Sequence, residues 1–459
     1  MSTTYNNAVG PQVRAPQPKP GLVIPFLACA SLVFGLQSAT QFFAHTFNYQ
    51  DVLGDQFGGL YKPWAILEWA LRWMSDYPLQ FLVKLTKFCN LRCGYCYEYA
   101  HLGKRERMSP ALLRGLFAST ARFLSSPTGR RIHPTFVFHG GEPLLLGRAY
   151  FEDVLEAQRP LREAGIAFAN SVQTNLYAYD GPLIRFLADA GFSIGVSCDV
   201  AGDARPDRRG KDSTDRVVAN LDALAREGIA TGGVAVLTRD NIGDAVRAYG
   251  FFNARRMACQ FIPAFWQPYM AEDQRGYGPT SDAVVSALIS VAREQLSSPD
   301  NVLAYPVYDH AMAALRSLRG EPAWQFDPVA GEWCLVCDLD GDIYSYGDAY
   351  TPVGRLGNVM QDELATLMSQ ARRAQSIASR RARAGTCEGC EFGRHCNRIP
   401  VIESHASDRF ATASGSGDCR VAKRVIAAIR DDLAREPARV GHLLRQRLAS
   451  RRSTIVFDG

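Results

Sequence analysis

The sequence predicts an α/β protein built on a partial (β/α)6, TIM-like barrel, with a cysteine-bearing domain towards its C-terminal end. Strand-like and helix-like stretches alternate six times between residues 82 and 263, and such a βαβ rhythm calls for a parallel sheet covered by helices. A length of 459 residues leaves room for two or three domains, and a hydrophobic fraction of 47% supports an ordinary globular core. Most of the twelve cysteines fall into three groups with short internal spacings. That pattern fits metal ligation in a reducing, cytoplasmic setting better than a disulfide framework.

Taken in order, residues 1–20 are polar and carry Pro11, Pro16, Pro18 and Pro20, the mark of a disordered tail. Residues 21–81 form an N-terminal extension. Within it the apolar run Leu22 to Leu36 follows Arg14 and Lys19, as in a signal peptide. Pro25 interrupts the run, and it is short for a membrane span. It reads as a packed or lipid-touching segment. Further on, Pro63 can open a helix on which Trp64, Leu67, Leu71 and Met74 recur at helical spacing.

The barrel strands are expected near 82–86, 135–138, 167–173, 192–198, 231–237 and 258–262, and the helices near 109–124, 149–164, 181–190, 213–227 and 241–254. Six repeats suit a partial barrel rather than a closed eight-stranded one, and chemistry in such barrels gathers at the carboxyl ends of the strands. Residues 264–330 connect to a cysteine-bearing domain over 331–425, and residues 426–459 read as a basic helix and tail with Arg445, Arg447, Arg451 and Arg452. The net charge of +5 is modest and the arginines are spread out, which leaves no nucleic-acid footprint. Cys29, Cys198 and Cys259 stand apart from the groups and read as packed thiols.

The first cysteine group, Cys89, Cys93 and Cys96, is spaced C-x3-C-x2-C and follows the first expected strand. Thiolates are the usual ligands of iron–sulfur clusters. Three of them hold three irons of a [4Fe–4S] cube and leave one iron open to a chelating small molecule. An electron-transfer cluster would ask for a fourth cysteine nearby, and a structural zinc ion for four ligands. The next cysteine is Cys198.

With Tyr95 at the aromatic position, this loop resembles the signature of radical S-adenosylmethionine (SAM) enzymes. The run Gly140, Gly141, Glu142, Pro143 after the second strand is similar to that family's GGEP motif. The resemblance implies a SAM-binding [4Fe–4S] cluster on Cys89, Cys93 and Cys96, with SAM bound near Tyr95, Gly140, Gly141 and Glu142. Glycines let backbone approach closely, and a carboxylate accepts charge-assisted hydrogen bonds from an ammonium. By the same resemblance, Ser197, at the start of Ser-Cys-Asp, is the candidate serine near SAM, and Arg209 is the candidate arginine that meets the SAM carboxylate. Gln173 and Asn175 end the third strand on the same rim.

Cys387, Cys390, Cys396 and Cys419 resemble the ligand set of an auxiliary [4Fe–4S] cluster in the SPASM extension of radical SAM enzymes. A zinc site is the other reading of four such thiols. The family's first auxiliary cluster finds less here. Gly341 is followed at the expected cysteine by Tyr346, and the later position holds Pro400. Cys334 and Cys337 remain as a pair, so that cluster is expected to be absent or altered. Sulfatase-maturing relatives carry an aspartate directly after the missing cysteine. Here Gly347 stands there, and Asp348 follows as a candidate base.

The runs 136–147 and 197–205 resemble maturases of ribosomally made peptides, in particular those that form cyclophane-like crosslinks. The resemblance implies an oxidase that modifies a precursor peptide and draws electrons from a flavodoxin or ferredoxin. A radical SAM epimerase or dehydrogenase acting on a small molecule is the alternative, and a non-enzymatic scaffold with degenerate clusters is a third.

Overall fold

In a computed structural model the chain is described at residues 31, 33–41, 77–129, 132–265, 270, 272–323, 328, 329, 331–402 and 419–450. It divides into two units, Met1–Ser75 and Asp76–Gly459. In the first, residues 33–41 are helical. The expected stripe from Trp64 to Met74, the tail and most of the apolar run lie outside the described residues. No helix among the described residues is long and apolar enough to cross a membrane.

The second unit is an α/β body on one ten-stranded sheet. Its first six strands are β1 (Tyr77–Thr86), β2 (Ile132–Gly140), β3 (Ala169–Thr174), β4 (Phe192–Ser197), β5 (Thr231–Leu237) and β6 (Cys259–Pro263). They are parallel and adjacent in chain order, each joined to the next through helix. A two-residue strand, β7 (Ala304–Tyr305), extends one edge. On the other side of β1 lie β8 (Cys334–Cys337), parallel to it, and the antiparallel β9 (Asp342–Ser345) and β10 (Arg355–Asn358). The sheet therefore runs from β10 to β7 without closing, as a partial barrel requires.

The strands alternate between a helix-facing core and the barrel interior. On β1, Leu79, Phe81, Val83 and Leu85 join the core with Phe136 and Phe138 of β2. Ring contacts continue that core, with Phe81 stacked on Phe136 at 5.1 Å and Phe117 edge-on to Phe136 at 5.0 Å. The intervening residues of β1, Leu82, Lys84 and Thr86, face the interior. Helix starts carry the expected caps. Ser109 accepts from Leu112 N–H at the head of helix 110–125, and Asp180 accepts from Leu183 N–H at the head of helix 181–189.

Three expectations change. Strand β1 begins at Tyr77 rather than Leu82, because Leu79 and Phe81 continue the alternation and the pairing with β2 starts at Tyr77–Ile132. The expected helix 149–164 is two helices, Arg148–Ala157 and Arg159–Glu163. Pro160 lacks the N–H a continuous helix needs, and the buried Gln158 between them exchanges two hydrogen bonds with Asn170 at 2.8 and 3.0 Å. The described part of the basic C-terminal stretch is packed rather than solvated, and Arg451 and Arg452 lie outside the described residues. Helix Ala422–Arg435 buries Val425, Ile426, Ile429 and Leu433 against helices 281–295 and 307–319, and Ala438–Ser450 follows as a second helix. Cys198 and Cys259 are buried core thiols; Cys29 lies outside the described residues.

Candidate active site

The exit of β1 leads straight into the cysteine loop, and two glycines hold that exit against β2. Gly141 N–H donates to Thr86 O at 2.7 Å and Glu142 N–H to Phe88 O at 2.8 Å. Gly140 has φ of 152°, and a Cβ there would sit 2.1 Å from Thr86 O. A Cβ on Gly141 would lie 2.3 Å from Phe88 O and 2.5 Å from Lys87 O. Both obstacles are backbone, so neither yields cheaply. Gly141→Ala is expected to cost about 1–3 kcal/mol or more and to impair iron uptake by the loop; thermal unfolding and iron content after anaerobic reconstitution check it.

Glu142 is buried and ties this junction to β3. Its carboxylate accepts from Leu144 N–H at 3.0 Å, Asn175 N–H at 2.7 Å and the Thr174 hydroxyl at 2.8 Å. Burial raises its pKa, against the pull of those donors. Its role in the structure is thus to fasten the ends of β2 and β3 beneath the loop. Asn175 in turn reaches the loop, donating from Nδ2 to Asn90 Oδ1 at 2.8 Å and to Cys89 Sγ at 3.4 Å.

The loop is clamped from three sides. Cys89 N–H donates to Leu102 O, Arg92 N–H to Pro206 O and Gly94 N–H to Ala204 O. From the stretch 272–277, Gln274 Nε2 donates to Cys96 O at 2.7 Å and to Gly94 O at 3.2 Å. Tyr277 occupies the space a side chain on Gly94 would need and meets Tyr95 edge-on at 6.5 Å.

The Tyr95 hydroxyl donates to Asp199 Oδ2 at 2.6 Å, Asp199 Oδ1 accepts from Val236 N–H at 2.9 Å, and Arg205 lies 3.6 Å from the same oxygen. Burial works against the charge of Arg205, but Tyr95, Asp199 and Cys93 around it hold its pKa above the ordinary value. Sequence reasoning places an arginine at the SAM carboxylate end but chooses Arg209. The structure sets the two nearby arginines in different surroundings. Arg209 is exposed in the Asp207–Gly210 turn, while Arg205 is 5% exposed beside the loop.

Gln173 and Ser197 do meet on the rim, with Nε2 donating to Oγ at 2.8 Å. A polar arc on the interior face of β1, β2 and β8 was missed by sequence reasoning. Lys84 on β1 pairs in register with His139 on β2, and Asp338 follows Cys337, the register partner of Val83. Lys84 is buried and bonds the Tyr97 hydroxyl, with His139 Nδ1 at 3.4 Å and Glu98 at 4.0 Å. Burial lowers its pKa, opposed by Glu98, and burial followed by Lys84 holds His139 well below the usual histidine range. A lysine interrupting an apolar strand was the missed clue.

The three loop thiols suit a cluster in their chemistry. Burial pushes Cys89 and Cys96 up to about 12 and raises Cys93. Bare thiols here stay protonated, so a buried thiolate set needs cationic metal to sustain it. N–H groups already point at sulfur: Leu91 N–H lies 3.4 Å from Cys89 Sγ. Cys387, Cys390, Cys396 and Cys419 line one small cavity, with Pro400 in its wall. Burial, then Cys419, Cys396 and Cys390, pushes Cys387 up to about 12. Among the described residues, no group of three or more His, Cys, Asp or Glu side chains is drawn in around a single metal-ion position, so the fit is one of donor chemistry.

Cys334 and Cys337 cannot share a metal. Three apart on β8, they face opposite sides of the sheet. Cys334 Sγ approaches Gln80 Oε1 at 3.7 Å on the interior side, and Cys337 lies in the helix-facing core. Tyr346, at the position of the missing cysteine, packs edge-on against Trp333 at 5.7 Å. Arg383 holds both oxygens of Asp348, the candidate base, at 3.2 and 3.1 Å.

Comparison with known proteins agrees with this geometry. Residues 83–252 match the model of the radical SAM superfamily. A serine-type anaerobic sulfatase-maturating enzyme of Bacteroides thetaiotaomicron is 26% identical over 353 residues, 70% of this chain and 82% of that protein. A solved structure, native anSMEcpe with bound AdoMet and Cp18Cys peptide, superposes with a TM-score of 0.64 at 20% identity, over 80% of this chain and 99% of that one. It shares the fold. A separate likeness is to the conjugal transfer protein TraG of Escherichia coli, 56% identical over 78 residues, 17% of this chain; the chain spans only 12% of that relative's length.

Proposed function

Because residues 83–252 form a radical SAM domain, we propose that this protein is a radical SAM oxidase that modifies side chains of a ribosomally made peptide, joining two of them in a crosslink. The observation that carries the reading is the second thiol set. Cys387, Cys390, Cys396 and Cys419 line one cavity in the same compact unit as the three-cysteine loop. A crosslink is a net oxidation, so a second redox centre able to take an electron from the substrate has a use. Gly347, where sulfatase-maturing relatives carry aspartate, argues for a peptide reaction other than sulfatase maturation.

When bound and reduced, the cluster and SAM supply a 5′-deoxyadenosyl radical that removes hydrogen from an unactivated carbon. The chain's own residues do the positioning. Glu142 and Asn175 fix the β2 and β3 ends under the loop, and Gln274 and Tyr277 close over it. Tyr95, Asp199 and Arg205 form a buried charged wall next to Cys93. Holding one C–H bond in such a dry site is the main task left to the protein.

The test is anaerobic reconstitution followed by incubation with SAM, reduced flavodoxin and peptides encoded beside the gene. The expected result is 5′-deoxyadenosine formed with a peptide lighter by two hydrogens, from protein holding about eight irons. SAM cleavage that never couples to any such peptide would sink the reading, and about four irons or bound zinc would sink the second cluster.

A further inference from the structure

The geometry points to Asp338 as the catalytic carboxylate that accepts the proton released when the substrate is oxidised; this rests on the peptide-oxidase reading above. The chemistry needs such a group. The 5′-deoxyadenosyl radical takes a hydrogen atom from a substrate carbon and leaves as 5′-deoxyadenosine. The substrate radical then forms its new bond to a neighbouring X–H group, losing one electron and one proton. An iron–sulfur centre, which Cys387, Cys390, Cys396 and Cys419 would hold, would take that electron and pass it to an electron carrier. The proton needs an acceptor at the carboxyl rim of the sheet, where the radical is made.

Several carboxylates stand at this rim. Asp207, bridged to the loop at Leu91, accepts from Tyr177, Arg209 N–H and Lys211 N–H. Glu142 accepts from Leu144 N–H, Thr174 and Asn175 N–H. Asp199 is held by Tyr95, Val236 N–H and Arg205. Glu98 lies between Lys84 at 4.0 Å and Lys87 at 3.8 Å, and accepts from Tyr350 at 3.3 Å. Asp338 differs. Its Oδ2 accepts from Lys87 at 3.2 Å, but Oδ1 has no partner although the residue is only 8% exposed. A buried oxygen without a donor is costly unless something else supplies one.

Its position suits that role. Strand β8 runs parallel to β1, so Asp338 emerges at the same end of the sheet as the cysteine loop. Continuing the Val83–Cys337 pairing by one residue sets Asp338 level with Lys84, on the interior face. Lys87 orients the carboxylate through Oδ2 and is itself partly exposed, which gives a route for the proton to leave. Asp348 offers none of this, since Arg383 holds both its oxygens.

The experiment compares reconstituted wild-type protein with Asp338→Asn, an isosteric change, on a synthetic pool of mixed-sequence peptides carrying fully deuterated side chains. Deuterium in 5′-deoxyadenosine reports hydrogen abstraction, and peptides lacking two hydrogens report oxidation. The expected result is near wild-type deuterium transfer in Asp338→Asn with the ratio of oxidised peptide to 5′-deoxyadenosine lowered at least tenfold, at equal iron content. An unchanged ratio overturns the assignment, as does a parallel fall in both readouts, which would mark Asp338 as structural. Wild-type protein that transfers no deuterium from the pool overturns the peptide reading itself, and the assignment with it.

Discussion

Replacing Cys93 by alanine is expected to lower 5′-deoxyadenosine formation by roughly a thousandfold or more, a barrier increase of about 4 kcal/mol. The three thiols are not spare parts of one another. Cys89 is anchored by Asn175 Nδ2 and Leu91 N–H. Cys93 lies in the field of Arg205 and Asp199, and Cys96 follows a backbone turn in which its N–H donates to Cys93 O. Clamps at Leu102, Ala204, Pro206 and Gln274 fix the loop, and the nearest cysteine in sequence, Cys198, is buried in the core. Losing one thiolate leaves two ligands where three are needed to present a single open iron. Cys387→Ala should behave differently, retaining 5′-deoxyadenosine formation while losing oxidised peptide. Chromatography of 5′-deoxyadenosine with parallel iron analysis separates the cases. A Cys93→Ala protein that keeps even a tenth of the wild-type rate would contradict the assignment of the loop.

The parts of this fold that were legible in the sequence are those whose pattern is local. Strands β4 and β5 lie where alternation of apolar residues puts them, because each is a short run between clear turn signals. The cysteine spacing and the Gly-Gly-Glu-Pro run were equally readable. What could not be read depends on contacts distant in sequence. The arc of Lys84, His139 and Asp338 exists only because β8, far along the chain, adds to β1 in parallel. Arg205 and Arg209 differ by four positions, and a turn at Asp207–Gly210 decides which one is buried. The glycines at 140 and 141 were read as making room for SAM. In the structure they make room for the backbone of Thr86, Lys87 and Phe88, which is a packing requirement that sets the site indirectly.

Asp348 illustrates the same limit and yields the second large effect. Next to Gly347, its sequence position invites a catalytic reading. The structure buries it at 5% exposure against Arg383, whose Nε also donates to Ile402 O at 2.7 Å. The ion pair joins the turn after β9 to helix 370–384 and the segment 399–402, close to the loop that carries Cys387. Removing one partner strands a buried charge, so Arg383→Met and Asp348→Asn should each destabilise the unit by about 3–5 kcal/mol. The double variant Arg383→Met with Asp348→Leu removes both charges and should recover to within about 1–2 kcal/mol of wild type. Denaturant unfolding of the reconstituted protein measures this. The outcome also decides between two roles. A structural pair loses stability in both single variants and regains it in the double. A catalytic Asp348 would instead leave stability intact in Asp348→Asn while oxidised peptide disappeared, and the double variant would restore nothing. The bidentate contact to Arg383, on a side chain with no solvent to replace it, favours the first outcome.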